Sequence, residues 1–179
     1  MSFELIVGPM FSGKTDELIR RLAAADAAGL RVATAKPSVD DADPGWIVSL
    51  TGARRPAASV PSAEALVALA ARHDVAGVDE IEFFEPEIVD AVRSLATGLR
   101  VVAAGLDLDF RGEPFGPMPA LAELADELTV LTATCTVCGG VATRSQRLLD
   151  GRPAPRDAPL VQIGGGELYE PRCTQHHIA

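Results

Sequence analysis

The segment from position 8 to position 15 reads GPMFSGKT and carries the pattern that points most directly to chemistry. It satisfies the spacing G-x-x-x-x-G-K-[ST], in which glycines let backbone N–H groups converge on phosphate oxygens beside a helix N-terminus. Lys14 is placed to reach the β- and γ-phosphates, and the Thr15 hydroxyl is placed to bind Mg²⁺. The alternative is a glycine turn with a purely structural role. The residues predicted to bind a nucleoside triphosphate are Gly8, Pro9, Met10, Phe11, Ser12, Gly13, Lys14 and Thr15.

Two acidic residues follow a short apolar run, VAGV, at positions 75–78. Asp79, at the end of this predicted strand, is suited to hold Mg²⁺ beside a bound triphosphate. Glu80 would then lie near the γ-phosphate, where a carboxylate can accept the proton of an attacking oxygen. The alternative is a solvated acidic turn without a chemical role. The residues predicted to contact the nucleotide and its metal here are Asp79, Glu80, Ile81 and Glu82.

All three cysteines lie after position 134, in two short hooks that read CTVC at 135–138 and CTQH at 173–176. Two C-x₂-C/H hooks supply four ligands suited to tetrahedral Zn²⁺. Because four protein ligands leave no open position, we expect a structural metal that stabilises a small module. The predicted ligands are Cys135, Cys138, Cys173 and His176. His177 is the alternative fourth ligand, and free buried thiols are the alternative without a metal.

Short apolar runs alternate with helical patterns before the first cysteine. The predicted elements are strands at 4–7, 31–35, 75–78 and 100–106, and helices at 15–28, after the N-cap candidate Ser62, and at 87–95. Continuous apolar strands of this kind are typical of a parallel sheet covered on both faces. Ligands gather at the carboxyl ends of such strands, where GPMFSGKT and the acidic pair both fall. Residues 37–61, rich in Pro, Gly, Asp and Arg, predict a long loop or a flexible arm.

The chain has 179 residues, of which 47% are hydrophobic, and a formal net charge of −9. That length fits one domain, or one domain with a small module attached. The only lysines are Lys14 and Lys36 and the arginines are scattered, which argues against duplex nucleic acid as a partner. No apolar run reaches the roughly 20 residues that span a bilayer, and the N-terminus does not read as a signal peptide. Three cysteines without a complete disulfide set favour a cytoplasmic setting.

Four motifs together resemble those of the type II thymidine kinases. They read GPMFSGKT, DE-x-x-FF from position 79, AAGLDLDFRGEPF from position 103 and IGGGELYEPRC from position 163, in the family's order. The resemblance implies a P-loop NTPase-type α/β fold, with a parallel sheet flanked by helices in a kinase domain at 1–134 and a zinc-binding lasso module at 135–179. It further implies transfer of the ATP γ-phosphate, with Mg²⁺, to the 5′-hydroxyl of thymidine.

The roles of individual residues carry over where the motifs match. Glu80 resembles the general base that activates the 5′-hydroxyl, and Phe110 matches the aromatic residue against which thymine packs. Tyr169 matches the tyrosine that helps close the pocket, and residues 160–164 resemble the lasso loop whose backbone groups hydrogen-bond the base. Without the resemblance, Phe110 and Phe115 would be interpreted as ordinary core residues. The predicted thymidine-binding residues are Met10, Leu106, Phe110, Phe115, Leu160, Val161, Gln162, Ile163, Gly164 and Tyr169.

The resemblance also implies a homotetramer and inhibition by the end product dTTP. Relatives often carry an arginine near the phosphates, two residues after an aspartate in the position of Asp40, but this chain has Ala42 there. Asp40 remains a predicted nucleotide contact, and Arg54 or Arg55 is a candidate replacement for the arginine. Leu50 likewise stands where relatives often have histidine or arginine.

Glu82 stands where the family usually has glutamine, which adds negative charge near the predicted magnesium site. Our hypothesis is an active kinase with altered affinity for ATP. Two other classes stay open at this point. One is a nucleotide-binding switch that no longer transfers phosphate, which the missing arginine favours. The other is a nucleic-acid-dependent ATPase whose zinc hooks touch nucleic acid, which the net charge of −9 disfavours.

Overall fold

A six-stranded parallel sheet organises the larger part of the chain. The computed structural model describes residues 1–39, 43–160 and 168–178. Strand order across the sheet is β5-β2-β6-β7-β1-β8. The elements are β1 (Ser2–Val7), α1 (Lys14–Ala27), β2 (Val32–Pro37), β3 (Trp46–Val48), β4 (Arg54–Pro56), β5 (Ala58–Val60), α2 (Ala63–Ala70), β6 (Val75–Val78), a 3₁₀ turn (Ile81–Phe83), α3 (Ile88–Ala96), β7 (Arg100–Gly105), α4 (Met118–Leu124), β8 (Glu127–Val130), β9 (Ala133–Thr134), β10 (Val141–Ala142), β11 (Arg144–Leu149), β12 (Arg152–Pro153) and β13 (Tyr169–Arg172).

Helices cover both faces of this sheet, as the continuous apolar strands predicted. On one face, α1 buries Leu18 and Leu22 against sheet residues that include Val102. On the other face, helices α2 to α4 bury residues such as Leu66 and Ile88 in the larger core. The predicted α/β class with a parallel sheet is therefore confirmed. Across the described residues, no helix combines the length and the apolarity that a membrane span requires.

Helix α1 begins and ends at glycines in the left-handed region, which few other residues adopt. Gly13, with φ of 85°, precedes its first residue, and Gly29, with φ of 79°, follows its last turn. The Gly29 N–H donates to the carbonyl of Asp26 (2.9 Å) and the Leu30 N–H to that of Ala25 (3.1 Å), a Schellman ending. The predicted N-cap of α2 is confirmed, since the Ser62 hydroxyl accepts from the Ala65 N–H.

The prediction of one long loop over 37–61 is wrong for much of that segment. Strands β3 and β4 form an antiparallel hairpin, and β5 pairs with β2 at the edge of the main sheet. Ile47 on β3 is buried against α1, and the Arg55 guanidinium donates to Thr34 and Asp26. Strands of three residues stabilised by polar contacts to distant elements leave no apolar periodicity in the sequence.

Two small antiparallel sheets follow the main sheet. β9 pairs with β10, and β11 lies between β12 and β13. β9 occupies the last two residues before the predicted boundary at 135. The division into 1–134 and 135–179 stays a prediction. What these sheets establish is that the two cysteine hooks lie beside paired strands: Cys135 directly follows β9 and Cys173 directly follows β13.

Close packing of α1 on the sheet gives a first testable prediction, at Gly77 on β6. A Cβ added there would lie 2.8 Å from Leu22 Cδ2 and 3.1 Å from Leu22 Cγ, within a fully buried contact. We expect Gly77→Ala to lower the free energy of unfolding by about 1–3 kcal/mol through overpacking. Denaturant unfolding measures this. Gly98→Ala is the control, because its added Cβ meets only a carbonyl oxygen at 3.9 Å. Equal stability of both variants would contradict the prediction.

Candidate active site and metal centre

The loop between β1 and α1 combines a tightly packed glycine with polar side chains that can bind phosphate. A Cβ at Gly8 would lie 2.5 Å from the Leu131 carbonyl oxygen, so only glycine fits there. Lys14 Nζ donates to the Pro9 carbonyl (3.0 Å), which folds the side chain back over the loop. The Ser12 hydroxyl is buried and has no hydrogen-bond partner among the described residues. These features fit a phosphate-binding loop, because phosphate oxygens could accept hydrogen bonds from the unpartnered Ser12 hydroxyl and from the Lys14 ammonium.

The negative charges of carboxylates from two separate segments act on Lys14. Burial lowers the pKa of Lys14, and the negative charges of Glu82, Asp79, Glu80 and Asp107 oppose that shift. The acids at 79–82 follow β6, and Asp107 follows β7. The structure therefore brings the predicted phosphate loop and the predicted acidic pair into one electrostatic site, as their positions at strand ends implied.

Glu80 is held in an unusual backbone conformation at this site. Its φ of 52° lies in the left-handed region, which non-glycine residues seldom adopt. Its N–H donates to Asp79 Oδ1 (3.2 Å), and the Asp79 N–H donates to the Ala35 carbonyl on β2 (3.0 Å). Asp79 itself is buried. A strained turn that fixes a carboxylate beside a phosphate loop is typical of a functional site.

Glu82 lies inside the protein rather than in solvent near a metal. Its side chain is 3% exposed, and its Oε2 has no hydrogen-bond partner among the described residues. A Cβ at Gly105 would lie 2.5 Å from that oxygen, so the absent side chain at 105 makes room for the carboxylate. Burial raises the pKa of Glu82 to about 7, while the Leu106 N–H and the Lys14 charge lower it. The neighbouring predicted contact, Ile81, is fully buried in the main core.

The predicted thymidine-binding residues divide into two groups. Phe110 is buried in a small cluster of its own with Ala154 and Ala158, against which Tyr169 packs. Phe115 instead belongs to the main core, with its ring edge-on to Phe83 at a centroid distance of 5.4 Å. Leu106 also packs against that core. The Met10 N–H donates to the Ser145 hydroxyl (2.9 Å), which joins the phosphate loop to β11. Leu160 is exposed.

Other predicted contacts lie outside the described residues. These are Asp40 among the nucleotide contacts, and Val161, Gln162, Ile163 and Gly164 of the lasso segment. The two candidate replacements for the missing arginine are engaged elsewhere. Arg54 lies over the Trp46 ring at 3.9 Å, and Arg55 bonds Asp26 and Thr34.

The four predicted metal ligands meet in one cluster. The ligand atoms of Cys135, Cys138, Cys173 and His176 all lie within 4.8 Å of one another. The sulfurs of Cys138 and Cys173 are 3.9 Å apart, and His176 Nδ1 lies 3.2 Å from Cys173 Sγ. Two sulfurs bound about 2.3 Å from a tetrahedral metal are about 3.8 Å apart. The donor set therefore fits Zn²⁺.

The local environment favours the thiolate form of Cys135, whereas the neighbouring thiols Cys135 and Cys173 raise the pKa of Cys138. Burial raises the pKa of Cys135, but the N–H groups of Cys173, Cys138 and Val137 and the ring of His176 outweigh it and lower that pKa to about 5. Thiolate is the form that binds zinc. Between the two candidate histidines, the structure puts His176 in the cluster. His177 Nε2 donates instead to the Phe110 carbonyl (2.9 Å), so the residue after the fourth ligand contacts the aromatic cluster.

The sequence did not predict three features of this region. These are the buried residues Ser145 and Arg147, and the contact of His177 with Phe110. Ser145 and Arg147 lie on β11, where three consecutive polar residues are buried. A polar run such as RSQR has the pattern of an exposed strand, so composition offered no signal. Only the fold shows that Arg147 stacks on Phe110, with its Cζ 4.0 Å from the ring centroid.

Comparison with known proteins gives two findings. The family described as "Thymidine kinase" matches residues 1–177 of this chain. A protein from Coprothermobacter proteolyticus named "Thymidine kinase" is 48% identical over 176 residues, which covers 97% of this chain and 89% of that protein.

The metal cluster generates a second prediction. We expect Cys138→Ser to reduce zinc affinity at least about 100-fold, because replacing a ligand removes more than the outer-shell changes that cost 10–100-fold. The zinc content of the purified protein, measured by elemental analysis, and its melting temperature would both fall. Val137→Ala is the matched control, since Val137 lies between the two hook cysteines and is exposed. Stoichiometric zinc in the serine variant would contradict the ligand set.

Burial of Glu82 generates a third prediction, about pH. The raised pKa, about 7 against 4.5, means that the folded state binds more protons than the unfolded state in that window. Stability therefore falls as pH rises through it. Glu82→Gln imitates the protonated acid, so we expect it to raise the free energy of unfolding at pH 8 by up to about 3 kcal/mol and to change little at pH 4.5. Denaturant unfolding at both pH values, with the exposed Glu123→Gln as control, measures the difference. An equal effect at both pH values would refute it.

Proposed function

This chain belongs to the thymidine kinase family, and we propose that it transfers the γ-phosphate of ATP to the 5′-hydroxyl of thymidine, giving dTMP. The family match, which spans residues 1–177, supports the activity. The observation that carries it at the level of the site is that GPMFSGKT, the acids at 79–82 and Asp107 follow the neighbouring parallel strands β1, β6 and β7 at one edge of the sheet, where the acidic charges act on Lys14. A lysine beside phosphate-binding amides and metal-binding carboxylates is the arrangement that P-loop enzymes use for phosphoryl transfer.

In this proposal the protein acts mainly by positioning and by accepting one proton. Backbone N–H groups of the loop between Met10 and Thr15 and the Lys14 ammonium hold the triphosphate, with Lys14 exchanging the Pro9 carbonyl for phosphate oxygens. Thr15 and Asp79 would hold Mg²⁺, which when bound neutralises charge on the β- and γ-phosphates. Glu80 accepts the proton of the 5′-hydroxyl as its oxygen bonds to the γ-phosphorus. The bond from that phosphorus to the bridging oxygen breaks, and ADP leaves.

The nucleoside pocket is proposed around the Phe110 cluster. Phe110 and Tyr169 lie together in the structure, which supports their assignment as the residues that pack on and close over thymine. Their link to the metal cluster through His177 supports a role for zinc in holding this region in one shape. Residues 160–164, together with Met10, Leu106 and Phe115, complete the proposed pocket. Exclusion of water there favours transfer to an alcohol over hydrolysis.

We also propose a homotetramer, feedback inhibition by dTTP and a cytoplasmic location. The edge strand β8 supports association between copies, because Leu128 and Val130 on it are 47% and 62% exposed. dTTP carries both thymine and a triphosphate, the two groups that the proposed sites recognise. The net charge of −9 supports small-molecule substrates over nucleic acid as partners.

The direct test incubates the purified protein with labelled ATP and each nucleoside in turn. We expect a thymidine-dependent monophosphate, with deoxyuridine as the secondary acceptor. Tight binding of ATP without any nucleoside monophosphate would instead support a nucleotide-binding protein that has lost transfer, the reading that Ala42 favours. Hydrolysis stimulated by DNA or RNA would support a nucleic-acid-dependent ATPase and overturn the proposal.

The proton acceptor gives a fourth prediction. Glu80→Gln keeps the size and hydrogen-bonding reach of the side chain but cannot take the proton. We expect kcat for thymidine to fall by about 10²–10⁴-fold, the usual range for loss of a general base, with ATP affinity and melting temperature little changed. The exposed Glu85→Gln, in the same segment, is the control. Full activity of Glu80→Gln in steady-state kinetics would show that another group is the base.

A further inference from the structure

Arg147 on β11 is a buried arginine that the proposed chemistry does not use. Its exposed fraction is 2%. Its Nε donates to the Tyr169 hydroxyl (2.8 Å), and its two terminal nitrogens donate to the carbonyls of Pro159 and Leu160, the latter at 2.6 Å. All three acceptors are neutral. The guanidinium is thus bound by its shape and its donors rather than by an ion pair with these groups.

The same guanidinium also stacks on aromatic rings. Its Cζ lies 4.0 Å from the centroid of Phe110 and 5.3 Å from that of Tyr169. Tyr169 is its direct cross-strand neighbour, because the register of β11 and β13 pairs these two residues. A cation over a ring face at such distances adds attraction beyond the buried area.

One side chain therefore joins three segments that are remote in sequence. Phe110 follows β7, Pro159 and Leu160 follow β12, and Tyr169 begins β13. Pro159 precedes the proposed lasso segment at 160–164, Leu160 begins it, and Tyr169 lies five positions after it. Phe110 has a second, independent contact, because its backbone carbonyl accepts a hydrogen bond from His177. Removing Arg147 would leave two carbonyls, a phenol and a ring face without their shared partner.

We propose that Arg147 is a positioning residue for thymidine binding, which sets Phe110, Tyr169 and the 159–160 backbone in one fixed arrangement. This inference rests on the proposed function, because it takes the Phe110 cluster as the nucleoside pocket. Arg147 acts through these partners and not on the reacting atoms. Lysine cannot replace it, because an ammonium has no planar group that can donate several hydrogen bonds in its plane while its face stacks on a ring.

The test compares Arg147→Ala and Arg147→Lys with the wild type in steady-state kinetics. We expect the KM for thymidine to rise about tenfold or more in both variants, while the KM for ATP and the zinc content stay within about twofold. Arg152→Ala is the control, because Arg152 is an exposed arginine on the neighbouring strand β12. A thymidine KM unchanged from the wild type would overturn the inference. A parallel rise of both KM values with loss of zinc would also overturn it, since that marks a general structural role.

A coupling measurement decides the question should Arg147→Ala fail to fold. Tyr169→Phe removes only the hydroxyl that accepts from Arg147 Nε. We expect Tyr169→Phe to raise the thymidine KM in the wild type and to have little further effect in Arg147→Lys, because both changes break the same contact. Additive effects of the two substitutions on the KM for thymidine would contradict the inference. A wild-type protein that makes no dTMP would overturn the proposed function itself. An active wild type whose Arg147 variants keep the same KM for thymidine would overturn the positioning role alone.

Discussion

The convergence of three parallel strand ends is the constraint on which the rest of this site depends. β6, β7 and β1 are neighbours in the sheet, with Val78 opposite Ala103 and Val7 opposite Gly105. Their carboxyl ends therefore deliver the phosphate loop, the acids at 79–82 and Asp107 to one edge. Because the strands are parallel, no other edge of the sheet can collect these groups.

This convergence buries ionisable side chains and holds one residue in a strained backbone conformation. Burial lowers the pKa of Lys14 and raises the pKa of Glu82, and the opposite charge of each group opposes the shift of the other. Glu80 takes a left-handed conformation to direct its side chain from the turn after β6. Such compromises are tolerated because the packed sheet and helices determine the backbone around them.

Two groupings were predictable because their signals are local: the phosphate-loop segment with the acidic segment at one edge of the sheet, and the four candidate metal ligands in one cluster. The roles of these residues remain predictions. GPMFSGKT, the acidic pair and the two cysteine hooks each occupy a few consecutive positions, and the strands that carry them are continuous and apolar. The β3–β4 hairpin was not predictable, because its strands have three residues and depend on contacts such as Arg55 to Asp26.

The sequence also did not predict that Phe110 and Phe115 lie in different hydrophobic clusters, for a similar reason. Phe110 and Phe115 are five positions apart in one motif, yet one lies in a separate cluster and the other in the main core. Arg147 gave no signal, since its partners come from three distant segments. Contacts between remote segments follow from the whole fold, and short patterns do not report them.

The most direct measurement is the structure of a complex with thymidine and a nonhydrolysable ATP analogue. The convergence of strand ends on Lys14 requires the Glu80 carboxylate to lie within about 3.2 Å of the thymidine 5′-oxygen, with that oxygen facing the terminal phosphorus and the Lys14 ammonium on the phosphates. A closed complex in which the 5′-oxygen lies far from both the carboxylate and the phosphorus would contradict this arrangement.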